Sequence, residues 1–189
     1  MKKVLLFVYD SFAEFEVAIL NTCLSGSEYD LVTCSPHSST QTVTSAGKLK
    51  IKPDLSVNEV ATDDYAALII PGGTPFPLLQ NSAVTEMIRT FFDKGKLIGA
   101  ICGGPVLLGA TGILNHIQYT ASLTEDDSNY TSVMNWSNKR EEHLVCDQNV
   151  ITATGSNYIQ FAEEVLRRLN VFPANTENPL KYFKVPTMS

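Results

Sequence analysis

Apolar residues fill positions 4–9 without a break before Asp10, and similar unbroken runs occupy 66–70 and 97–101. Runs of this length that do not alternate with polar positions fit strands covered on both faces, the condition found in mostly parallel sheets. Between them the period changes. Ala13, Val17, Leu20 and Leu24 recur at intervals of four, three and four, which places an apolar stripe along a helix, and Gly26 marks its end. Ser56 and Glu59 have capping-box spacing and open a short helical turn, and the helical pattern over 82–94 closes at Gly95. Residues 29–34 read as a second strand, 43–50 around Ala46-Gly47 as a hairpin, 143–146 and 149–153 as strands joined across Asp147-Gln148, and 158–169 as the last helix. Alternation of this kind predicts an α/β fold: a doubly wound, mostly parallel sheet with helices on both faces.

Length adds one constraint. A chain of 189 residues fits one ordinary domain, which buries roughly 70% of its unfolded surface. We expect that domain over residues 1–172, followed by a tail at 173–189. Pro173, Pro179 and Pro186 exclude a long regular element from the tail, while Tyr182 and Phe183 are expected to pack back on the body.

With 44% hydrophobic and 18% charged residues, the chain falls in the soluble globular class. Its net charge of −6 argues against nucleic acid or an anionic membrane as the main partner, since either asks for a basic face. Met1-Lys2-Lys3 and the apolar run imitate the start of a signal peptide, but the run ends at Asp10 without a small-residue cleavage site. A buried strand and a cytoplasmic location are therefore expected. Cys23, Cys34, Cys102 and Cys146 lack CxxC or Cys/His spacing, so reduced thiols are expected, with no metal and no organic cofactor.

The chemistry concentrates at Leu97-Ile98-Gly99-Ala100-Ile101-Cys102-Gly103-Gly104-Pro105. A buried strand runs into a nucleophile-type residue, then into glycines that permit a sharp turn, then into a helix. This is the mechanical logic of a nucleophile elbow, with cysteine in place of serine. The helix N-terminus is expected to lower the Cys102 pKa below the free value of roughly 8.5, and the Gly103 N–H to face a developing oxyanion. Ligands of open α/β sheets bind outside the carboxyl ends of the strands. Pro71-Gly72-Gly73-Thr74 and the pair Glu14 and Glu16 arrive at that end, after the strands at 66–70 and 4–9.

Ala100-Ile101-Cys102-Gly103-Gly104-Pro105, Pro71-Gly72-Gly73, Glu14-Phe15-Glu16 and Thr152-Ala153-Thr154-Gly155 together resemble the signature of the ThiJ/PfpI family, within the class I glutamine amidotransferase-like superfamily. The resemblance spans residues 3–169. It implies a flavodoxin-like fold, a frequent homodimer, and a reactive elbow cysteine hydrogen-bonded to a glutamate of the first helix, by position Glu16. Members of that family include glyoxalases, proposed deglycases, peptidases, redox sensors and chaperones. Many enzyme-like members carry a histidine directly after the cysteine or on the loop at 120–123. Here Gly103 and Ala121-Ser122 stand at those places, which counts against a Cys–His mechanism.

His37, His116 and His143 read as surface residues, and Glu14 as a solvated acid. Glu125 heads a solvated acidic run with Asp126 and Asp127 and is a candidate substitute acid. The expected partner is a small electrophile or oxidant. As a slow glyoxalase- or hydrolase-type enzyme, Cys102 would attack a small carbonyl compound and form a hemithioacetal. Glu16, protonated beside the thiolate, would move the proton, while the Gly73 and Gly103 N–H groups held the oxyanion. The rival is a redox sensor or stress protein in which Cys102 is oxidised without turnover. An amidotransferase-like or peptidase-like hydrolase is the third reading, lacking a histidine for its triad.

Overall fold

The computed structural model describes residues 2–172 together with Leu180 and Phe183. β1 (Lys2–Phe7) leads into α1 (Phe15–Ser25) and β2 (Tyr29–Ser35). A small antiparallel hairpin of β3 (Val43–Thr44) and β4 (Lys50–Ile51) follows, and then the short edge strand β5 (Leu55–Ser56). The chain crosses back through β6 (Tyr65–Ile70), α2 (Ser82–Asp93), β7 (Leu97–Ile101) and α3 (Pro105–Ala110). It ends in β8 (Leu144–Asp147), β9 (Val150–Ala153) and α4 (Tyr158–Arg168).

Seven strands form one sheet in the order β5-β2-β1-β6-β7-β9-β8. All its pairings are parallel except that of β8 with β9. The unbroken apolar runs became the three central strands because α1 and α4 pack together on one face and α2 and α3 on the other. This is the flavodoxin-like α/β arrangement. Buried side chains of every layer join a single hydrophobic cluster, which also takes in Leu180. Among the described residues no helix is long and apolar enough to cross a membrane.

The local signals hold with small shifts. Ser56 N–H donates to the Glu59 carboxylate at 2.7 Å and completes the capping box of a 3-10 turn over Val57–Glu59. Gly95 (φ +65°) closes α2, and Gln148 (φ +51°) turns β8 into β9. The first strand starts at Lys2, two residues before the apolar run, where Lys2 pairs with Glu28 at 3.1 Å. Val8 and Tyr9 are buried although they lie past the strand's end, because they feed the loop beneath the site. Pro173, Pro179, Tyr182 and Pro186 lie outside the described residues. Phe183 is 44% exposed, so Leu180 rather than Phe183 docks on the body.

From β1 the chain moves outward to β2 and later returns to lay β6 on the other side of β1. The order of strands therefore reverses between β1 and β6. A crevice opens at such a point beyond the carboxyl ends of the strands. The loops after β1, β6 and β7 meet there.

Candidate active site

The elbow arises where β7 stops. Cys102 N–H still donates to the Ala153 carbonyl of β9 at 2.8 Å, so the ladder holds one residue past the strand. The backbone then turns sharply. Cys102 takes φ +60°, a left-handed conformation that costs a non-glycine residue about 1–3 kcal/mol, and Gly104 N–H closes the turn on the Ile101 carbonyl at 2.8 Å. Pro105 opens α3 at a position where a missing N–H costs nothing. The strained cysteine thereby holds its side chain above the sheet, half-buried.

Glu16 comes from the first turn of α1 and is only 2% exposed. Its carboxylate accepts the Gly72 N–H at 2.7 Å. Two glycines make room for the pair. A Cβ on Gly72 would stand 2.5 Å from Cys102 Cβ, 2.7 Å from Glu16 Oε2 and 3.0 Å from Cys102 Sγ; one on Gly155 would stand 3.0 Å from Glu16 Oε1 and 3.1 Å from Sγ. Thiol and carboxyl are thus packed against each other between two side-chain-free backbones.

The loop after β6 is strapped to the loop after β1. The Tyr9 hydroxyl is shared between the carbonyls of Pro71 (3.0 Å) and Gly72 (2.8 Å), and Ala13 N–H donates to Gly72 at 2.9 Å. Burial first, and then the charges of Glu16 and Cys102, push the Tyr9 hydroxyl well above its ordinary range, so it stays a neutral donor. Through this strap the core residue Tyr9 sets where the Gly72 N–H meets Glu16.

Burial pushes the Glu16 carboxyl up, and the Gly72 N–H and the Cys102 thiol pull it partly back. Cys102 is pushed up to about 11 by burial, then by the Glu16 charge and hydrogen bond, against the opposing Ser122 hydroxyl and Gly103 N–H. The expected lowering of the thiol by the helix N-terminus is therefore overturned. α3 and the elbow amide do favour a thiolate, but desolvation and a neighbouring carboxylate outweigh them. Between the two titrations the proton rests on the sulfur and the charge on Glu16, the reverse of the protonated Glu16 beside a thiolate that the sequence leads one to expect, because the buried thiol is the harder of the two to ionise.

Of the candidate residues, Cys102, Glu16 and Gly103 meet directly. Gly73 lies beside them: a Cβ on Gly103 would stand 3.1 Å from the Gly73 carbonyl oxygen and 3.8 Å from its nitrogen. Glu14 turns away to accept the Gly47 N–H of the β3–β4 turn at 3.2 Å. Glu125 is exposed in a separate depression of about 220 Å³ with Trp136, Lys139 and Glu141, and is not brought to the pair. His37 stands 3.8 Å from the Asp10 carboxylate, and His116 and His143 are exposed.

Sequence reasoning missed Ser122. Its N–H donates to the Cys102 carbonyl at 3.0 Å, its Oγ accepts the Gly155 N–H at 2.8 Å, and its hydroxyl favours ionisation of the Cys102 thiol. The signal was present in its place on the loop at 120–123. A serine there registers as the lack of a histidine until the fold shows which segments it joins.

A model of the DJ-1/PfpI family matches residues 2–168. The chain is 28% identical over 186 residues to a Bacillus subtilis protein named as an uncharacterized protease, YoaZ, covering 93% of this chain and 87% of that one. It is 31% identical over 151 residues to the glutathione-independent glyoxalase DJR-1.2 of Caenorhabditis elegans, covering 76% of each. The solved structure of a DJ-1 superfamily protein from Agrobacterium tumefaciens matches with a TM-score of 0.84 at 29% identity, covering 97% of both chains.

Proposed function

The chain belongs to the DJ-1/PfpI family, and from that membership and the Cys102–Glu16 pair we propose a cofactor-independent, glyoxalase-type enzyme acting on a small α-oxoaldehyde. One observation carries the reading: a half-buried thiol on a strained elbow packs against a carboxyl that is 2% exposed. The name of the Caenorhabditis relative is in keeping with it.

To reach the reactive arrangement the proton passes from sulfur to Glu16, which leaves the charge on sulfur. The thiolate attacks the aldehyde carbon, the carbonyl electron pair moves to oxygen, and the Glu16 proton neutralises it. The N–H groups of Gly103 and Gly73 serve that oxygen while it is charged. A hemithioacetal and a Glu16 carboxylate result. The carboxylate takes the proton from the sulfur-bearing carbon, and the electron pair moves onto the neighbouring carbonyl as an enediolate. One proton passes between the two oxygens, and Glu16 returns its own to the second carbon. The sulfur-bearing carbon is now a thioester, which water cleaves to a 2-hydroxy acid and the free thiol. The dicarbonyl and one water account for every atom of the product.

Turnover should be slow. A positioned acid or base contributes about 10²- to 10⁴-fold, and Glu16 performs both duties alone. A second reading, a redox sensor, rests on the partial exposure of Cys102 at the strained elbow, with the exposed Cys146 as its internal comparison. Peptide mass mapping after separate exposure to methylglyoxal and to peroxide tests both. A dicarbonyl adduct on Cys102 together with released hydroxy acid supports the enzyme. Oxidation of Cys102 alone supports the sensor.

A further inference from the structure

Building on that reading, we propose that Ser122 is a further catalytic residue, whose hydroxyl donates to the Cys102 sulfur before attack and to the developing oxyanion after it. A serine hydroxyl has one hydrogen to give and two lone pairs to accept with. The Gly155 N–H, at 2.8 Å, occupies one lone pair and fixes the oxygen in place. Ser122 N–H binds the Cys102 carbonyl at 3.0 Å, so the backbone carrying the hydroxyl is tied to the elbow itself. The third anchor is geometric: a Cβ on Gly155 would lie 3.1 Å from Sγ, so the amide that holds Ser122 belongs to a residue touching the sulfur. The hydrogen left over is the one we assign to the Cys102 sulfur, whose ionisation the Ser122 hydroxyl favours.

The two side-chain partners of the sulfur divide by exposure. Glu16 lies beneath it, 2% exposed, where a proton is kept from water. Ser122 is exposed, on the side from which a substrate must come. When the sulfur pair forms the carbon–sulfur bond, the carbonyl π pair becomes the charge on oxygen and the sulfur becomes neutral. The Ser122 hydrogen then turns from sulfur to oxygen by rotation about its own C–O bond, and no proton leaves the serine. A compact oxyanion is a stronger acceptor than a diffuse thiolate, so the hydrogen bond strengthens as the charge moves, which is the requirement for lowering a barrier.

Ser122→Ala and Ser122→Thr test this with two readouts: the pH profile of Cys102 alkylation by iodoacetamide without substrate, and kcat and KM for methylglyoxal. For Ser122→Ala the alkylation profile is expected to move to higher pH. Its kcat should fall on the order of 10²-fold with KM little changed, and Ser122→Thr should recover most of both. A Ser122→Ala protein with the wild-type alkylation profile and wild-type kcat overturns the proposal. So does an equal loss in Ser122→Thr, which would mark a purely structural role. If the wild type turns over no dicarbonyl while Ser122→Ala still shifts the alkylation profile, the glyoxalase reading fails and the donor to sulfur stands; an unshifted profile removes the donor as well.

Discussion

Glu16 and Cys102 meet between Gly72 and Gly155, so closely that a single Cβ on either glycine would fall within about 3 Å of both side chains. The contact makes one acid of two. Burial opposes ionisation of both, the Glu16 carboxylate opposes ionisation of the thiol, and the neutral thiol favours the carboxylate.

The first expectation concerns the thiol. Burial and the Glu16 carboxylate hold Cys102 at about 11, and the carboxylate supplies two of the three causes that raise it. Glu16→Gln removes that charge and leaves an amide able to donate, so the thiolate should appear at lower pH than in the wild type. Ultraviolet titration of the thiolate measures it. An unchanged or higher midpoint would mean that the carboxylate does not act on the sulfur.

The same variant should be more stable at neutral pH. The folded-state pKa of Glu16 is raised above its unfolded value of about 4.3, so the folded state binds the extra proton and the wild type loses stability as pH rises from there through the raised value. Glu16→Gln escapes that loss, about 1.4 kcal/mol for each tenfold displacement of the carboxyl's ionisation equilibrium. Its advantage should vanish below about pH 4, where both states are protonated. Thermal melts at acid and neutral pH check this; equal gains at both would assign the effect to packing instead of charge.

The glycines should separate activity from stability. Gly155→Ala places its Cβ 3.0 to 3.2 Å from three side-chain atoms, Glu16 Oε1, Cys102 Sγ and Cys102 Cβ, contacts that small shifts relieve, so turnover should fall sharply with little change in Tm. Gly72→Ala presses on Cys102 Cβ, which the strained elbow holds, and should cost about 1–3 kcal/mol as overpacking as well as activity. Denaturant melts beside a turnover assay distinguish them. A fully active Gly155→Ala protein would show that the pair tolerates separation.

Much of this arrangement was readable in the chain. The central strands were legible because burial on both faces leaves no polar position to interrupt the pattern, and the elbow because strand, cysteine and glycines are adjacent in sequence. Val8 and Tyr9 were not separable from the first strand, since a buried loop entry is as apolar as a strand. The thiol shift was misjudged because sequence displays the helix after Cys102 but not the desolvation around it. Ser122 was missed because its role exists only where three distant segments, at 102, 122 and 155, come together. Leu180 was passed over in favour of the aromatic residues that follow it, although a short aliphatic side chain filled the site on the core.

We propose a homodimer. Phe15 and Leu49 are each 56% exposed, and the Glu14 contact with Gly47 brings the start of α1 beside the β3–β4 turn that carries Leu49. Exposed apolar side chains on neighbouring segments suit a partner surface. Light scattering at micromolar concentration should give twice the chain mass of 20.7 kDa, and a mass near 20.7 kDa would remove the proposal.

The most direct test of the account is the release of 2-hydroxy acid from methylglyoxal by the wild type, Cys102→Ser and Glu16→Gln. Slow turnover is expected in the wild type, none above background in Cys102→Ser, and a loss of about 10²- to 10⁴-fold in Glu16→Gln. Full activity in Cys102→Ser would contradict the assignment of the nucleophile, and full activity in Glu16→Gln would contradict the assignment of the proton carrier.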